Sequence, residues 1–231
     1  MTSLPGVSGA TDRSAAWLIM VACAMLMAFY YVARTDTIGV TSLTRDWAPM
    51  TGKVVPAWIH FASSALLLGV LPVLVARRVT GLSLTQLGLG LGNWRAGLLL
   101  LVVGIPIAVL AGLVAAETPA LHSVYPLDPV DAPARFATYA LMQFLYFGAW
   151  EVLFRGVLLF GLSGKIGVTN ANAVQSALSV TAHFGRALSE TASALPAGLV
   201  LGAVTIRVGS IWPVAIIHWV IGVSKDWFII T

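Results

Sequence analysis

Glu151 and Arg155 stand four residues apart inside the apolar stretch "FGAWEVLFRGVLLFG" (147–161), and two histidines, His183 and His218, follow in later apolar stretches. A charged side chain at a bilayer centre costs roughly 2.5–3.5 kcal/mol on insertion scales, so such residues face a protein interior or a wet cavity. Glu before Arg at this spacing is the favourable order for a helical ion pair. Mutual neutralisation explains how the two tolerate each other, but not why a hydrophobic segment carries either. Imidazole titrates close to neutrality and suits proton transfer. His183 opens "HFGRALSE", which adds Arg186 and Glu190; Glu190 falls near the histidine's face if one helix continues through Gly185. His218, Gly222 and Asp226 share a helical face, with Lys225 beside them.

Three chemistries fit such a set. A carboxylate and a histidine activate water for peptide hydrolysis. Two histidines and a carboxylate hold zinc, although no His-Glu-x-x-His run supplies local ligand spacing. Acids and histidines in series relay protons through a transporter, although no inverted repeat accompanies them. A serine nucleophile on a Gly-x-Ser-x-Gly elbow is absent.

The elements that must carry these residues are membrane helices. Of 231 residues, 58% are hydrophobic and only 10% charged, against roughly 25% charged in soluble domains. A spanning helix needs about 20 apolar residues. The expected spans are 15–33, 55–76, 96–116, 136–163, 167–184, 192–207 and 210–230, an all-α polytopic bundle of about seven helices in one domain. Gly and Pro within "GIPIAVLAG" predict a kink in the third. The first span is read as a retained helix rather than a signal peptide, because its apolar run is too long and its flank is Asp12-Arg13. Arg77, Arg78 and Arg95 share one loop without an acid, which places it inside; the acidic loop 117–134 then lies outside. Arg34, Arg45 and Lys53 run against that assignment. The stretch 79–95 reads as an interfacial connection. The net charge of +4 comes without a basic stripe or aromatic platform, so nucleic acid is not an expected partner. The one cysteine, Cys23, excludes an internal disulfide.

In the fifth span Asn172, Ser176 and Ser179 form a polar stripe that ends at His183. Gly198 and Gly202 in the sixth permit close helix approach. Both features read as packing.

"WEVLFRGVLLFG", "SVTAHFG" and "GLVLGAVTIRVGSIWPVAIIHWVIG" together resemble the three motif regions of the CAAX protease and bacteriocin-processing family of intramembrane endopeptidases, over about residues 136–230. The family pattern is Glu-Glu-x-x-x-Arg, then Phe-x-x-x-His, then His-x-x-x-Asn. Glu151 falls on the second Glu, Arg155 on the Arg, His183 on the first His and His218 on the second. Trp150 occupies the first-Glu place, Ser179 the Phe place and Gly222 the Asn place. The resemblance implies hydrolysis of a membrane-associated peptide or protein in a bacterial cytoplasmic membrane, with no cofactor and zinc as the weaker alternative. The expected roles are Glu151 as base with His183, Arg155 as orienting partner, His218 as oxyanion contact and Glu190 as reserve acid. The competing expectation is a catalytically inactive scaffold or binding protein. Oligomeric state is not legible.

Overall fold

The computed structural model describes residues 9–30, 54–129 and 131–231, and among these the chain is helical, without strands. Helix α1 is Gly9–Ala28. Helices α2 (Val54–Ser64) and α3 (Leu71–Thr80) are joined without interruption by a π-helical turn, Ala65–Val70. Helix α4 is Trp94–Ala116, and α5 (Pro119–His122) and α6 (Asp131–Ala134) are single turns. A second long helix is made of α7 (Phe136–Glu151), a π-helical stretch (Val152–Phe160) and α8 (Gly161–Ile166). Helices α9 (Val168–Thr181), α10 (Leu188–Val208) and α11 (Trp212–Ile230) follow.

Five of these helices are long and apolar enough to cross a membrane: Ala57–Thr80, Trp94–Ala116, Phe136–Ile166, Leu188–Val208 and Trp212–Ile230. The other two expected spans are shorter. The apolar part of α1 is Arg13–Ala28, and Arg34, Arg45 and Lys53 lie outside the described residues. Helix α9 has 14 residues, about 21 Å at 1.5 Å per residue. It ends before His183, which sits in the turn that follows. At Gly185 the backbone takes a φ of +85°, a conformation open to glycine because it has no Cβ. The chain therefore turns there, and Glu190 belongs to the first turn of α10 rather than to the helix before it.

The Phe136–Ile166 helix is the axis of the bundle: 78% of its most apolar stretch is buried, against 17% for Trp94–Ala116. Leu153, Phe154, Val157, Leu158, Leu159 and Leu162 are all inaccessible, which explains why this helix is apolar on every side. Helix α4 continues through Pro106 as one helix. It lies along α11, with Gly97, Gly104 and Gly112 at the contact. A Cβ on Gly112 would stand 2.6 Å from the Ser224 Cβ, so small residues set the helix separation. The 79–95 connection does more than lie at an interface. Leu87 is fully buried in the core, and Asn93 both accepts from the Ala96 N–H and donates its own N–H to the Val208 carbonyl.

Candidate active site

The α7 residues Tyr139, Gln143, Phe147 and Glu151, followed by Arg155, form a file at four-residue steps along the buried side that faces α11. The π-helical stretch begins directly after Glu151 and contains Arg155. Such widened turns occur often at functional sites.

Arg155 Nη1 donates to Glu151 Oε1 at 3.1 Å, and His218 Nδ1 meets the same oxygen at 2.7 Å. Glu151 is wholly buried and Arg155 2% exposed. The expected ion pair is thus present, and it has a third member: Glu151 binds the histidine of α11 rather than His183.

Aromatic rings fill the space around this triad. Trp150 is buried between Tyr146 and Phe154 and meets the His183 ring edge-on at 5.2 Å. Phe147 packs on His218 at 4.8 Å between ring centroids. A Cβ on Gly222 would overlap the Phe147 ring. The family's asparagine is therefore absent from a position with no room for a side chain.

His183 Nδ1 donates to the Ser179 carbonyl at 2.7 Å. Because a carbonyl only accepts, the neutral ring keeps its lone pair on Nε2. This bond uses the main chain of Ser179, and the serine hydroxyl has no part in it. The charges that act on His183 come from Glu190, His218 and Arg186. The His183 ring meets Trp150 and its carbonyl accepts from Thr191, the sequence neighbours of Glu151 and Glu190, so His183 lies between the Glu151 triad and a second polar group. There, Tyr125 of the 117–130 loop donates its hydroxyl to Glu190 Oε1 at 3.1 Å. Arg186 and Lys225 both stand over the Tyr125 ring. Burial pushes the Tyr125 phenol well above its ordinary range, against the opposing charge of Arg186.

Beyond this group the α7 file ends in a buried carboxylate. Asp226 Oδ2 accepts from Tyr139 Oη at 2.7 Å and Gln143 Nε2 at 2.5 Å, while Lys225 Nζ lies 3.7 Å from Oδ1. The sequence placed Asp226 on the His218 face but gave Tyr139 and Tyr125 no role. Both pair with residues more than 60 positions away; the four-residue file extends back to Tyr139, but no local periodicity marks Tyr125.

The polar residues of α9 behave as packing. Asn172 Nδ2 donates to the Leu199 carbonyl and Gln175 Nε2 to the Gly198 carbonyl, across the approach that Gly198 and Gly202 permit. His60 is buried among Phe29, Phe61 and Tyr146. Among the described residues, no three His, Cys, Asp or Glu side chains gather as a metal site.

The turn that carries His183 is also tied from outside the motif regions. Tyr30, which follows α1, donates its hydroxyl to the Ala182 carbonyl. Thr191 Oγ1 donates to the carbonyl of His183 itself at 2.9 Å.

Residues 132–224 match the family model described as Type II CAAX prenyl endopeptidase Rce1-like. The match includes Glu151, His183, Glu190 and His218, and it leaves α1 to α5 outside. This segment is thus similar to the Rce1-like members of the CAAX protease and bacteriocin-processing family, in a multi-pass helical membrane protein. No curated protein and no solved structure matches the chain.

Proposed function

We propose that the protein is an intramembrane endopeptidase that hydrolyses a peptide bond of a membrane-associated peptide or protein, using a water activated by a carboxylate and a histidine. The observation that carries this reading is the meeting of motif residues from separate helices. Glu151 binds His218 at 2.7 Å, and His183 lies within reach of the charge of His218.

Two acids are candidates for the base, Glu151 and Glu190, and the geometry favours Glu190. Glu151 Oε1 already serves both Arg155 and His218; its Oε2, like Glu190 Oε2, is buried without a partner, but Glu190 adjoins Thr191, which bonds the His183 carbonyl. In this assignment the Glu190–His183 pair takes a proton from water as its oxygen attacks the carbonyl carbon. The same pair returns the proton to the leaving amine nitrogen as the C–N bond breaks. Glu151, itself held by Arg155, accepts from His218 Nδ1–H, and a ring that carries a second proton on Nε2 donates it to the developing oxyanion. Helices α1 and α9 count with the five long helices as the seven spans of a cytoplasmic-membrane protein. The partners are the lipid bilayer and the peptide substrate.

The second reading, a scaffold without activity, is favoured by the aromatic filling at Trp150 and Phe147, where the family pattern has polar groups. A cleavage assay in detergent on the purified chain decides between them, with His183→Ala, Glu190→Gln and Glu151→Gln variants. Activity that survives all three substitutions removes the proposed site, and a folded protein that cleaves no membrane peptide is a scaffold. Metal analysis of the same sample separates the zinc alternative.

A further inference from the structure

The loop between α4 and α7 is fixed into the bundle at several points. Its His122 Nε2 lies 2.6 Å from the Ala116 carbonyl, and its Leu127 N–H donates to Tyr139 Oη at 3.1 Å. Pro126 and Asp128 are buried. Between these anchors Tyr125 reaches Glu190 across 65 residues of sequence. His183 and Arg186 from the turn before α10, Lys225 from α11 and the neutral Tyr125 phenol from the loop gather about the carboxylate, and Asp226 and Tyr146 also face that phenol. Its other oxygen, Oε2, is buried without a hydrogen-bond partner among the described residues. One oxygen is thus held and the other is left for a further ligand, an arrangement that suits a positioned general base and that Glu151 shares.

We propose that Tyr125 is a positioning residue: its hydroxyl fixes Glu190 Oε1 so that Oε2 is presented to the water that His183 also contacts. The inference rests on the reading of Glu190 as the base. The buried phenol keeps its proton, so it remains a donor to the carboxylate. The cations over its ring hold the ring in place independently of the hydroxyl. Tyr125→Phe therefore removes the hydrogen bond and leaves the packing.

The test measures kcat and KM for the full chain in liposomes, on internally quenched single-span peptides and a prenylated peptide ending in a CAAX sequence. Melting curves are recorded on the same samples. Tyr125→Phe is expected to lower kcat roughly tenfold, the size of a lost hydrogen bond to a charged group, with KM within about twofold and Tm unchanged. The same change is made in a Glu190→Asp chain, whose carboxylate ends one methylene short of the phenol. There it is expected to cost less than about twofold, because paired groups do not contribute independently. Unchanged kcat in Tyr125→Phe overturns the proposal. An equal loss in both backgrounds also overturns it, and means that the tyrosine only anchors its loop. Full activity in Glu190→Gln overturns the base assignment instead and takes this inference with it. A starting protein that cleaves none of the probes removes the endopeptidase reading, and the role of Tyr125 along with it.

Discussion

The Glu151 triad and the Glu190 cluster are two polar groups of one bundle, built in opposite ways. Around Glu151 one oxygen serves both Arg155 and His218, Oε2 is buried without a partner, and aromatic rings of Trp150, Phe147 and Phe154 surround the group. Around Glu190 the residues come from a loop, a turn and two helix ends, and the carboxylate keeps a buried oxygen without a partner. The first arrangement resembles a core that happens to contain ions, and the second a site. In the proposed mechanism the triad is the supporting structure and proton transfer falls to the neighbouring acid.

The largest effect that separates the two regions is expected from Glu151→Ala. It leaves the Arg155 guanidinium buried without its partner, a type of loss that costs about 3–5 kcal/mol. Denaturant or thermal melting in detergent checks it, and a chain as stable as the original would undo the structural role given to the triad. Glu190→Gln keeps shape and volume, so the expected outcome is a roughly hundredfold loss of kcat, about 2.7 kcal/mol in barrier, with an unchanged melting curve. If the two outcomes were exchanged, the comparison would be inverted and Glu151 would be the base. Gly222→Asn restores the family's amide but drives a side chain into the Phe147 ring. Overpacking of this kind costs about 1–3 kcal/mol, and Phe147→Ala in the same chain should recover part of the melting temperature. The smallest effect is expected for Ser179→Ala, within about 0.5 kcal/mol of the original stability and about twofold in kcat. His183 uses the Ser179 carbonyl, which the substitution keeps.

The helices and the Glu151–Arg155 pair were legible because both depend on local spacing: about 20 apolar residues make a span, and four residues bring two side chains together on one face. The departure at Trp150 was legible too, since it only requires a motif to be read in register. What fills the place of the missing asparagine was not, because Phe147 and Gly222 meet across two helices. The position of Glu190 was reached through a wrong geometry. A helix running through Gly185 would have put the acid near His183, and the chain turns at that glycine instead, yet the turn returns the acid to the histidine's surroundings. Tyr125 lies in a loop whose acids suggested only a side of the membrane, and its contact with Glu190 depends on where that loop settles.

The hydroxyl of Tyr30 on the Ala182 carbonyl bears on what counts as a unit of this protein. Residues 132–224 contain every motif side chain, so a gene fragment encoding them looks self-sufficient. Yet the turn that presents His183 is held from the first helix, and Glu190 is held from a loop that begins before the matched segment. The matched segment thus holds the motif side chains without two of the hydrogen bonds that position them. A graft into another membrane scaffold is expected to need two phenols from its host, one for the histidine's turn and one for the acid.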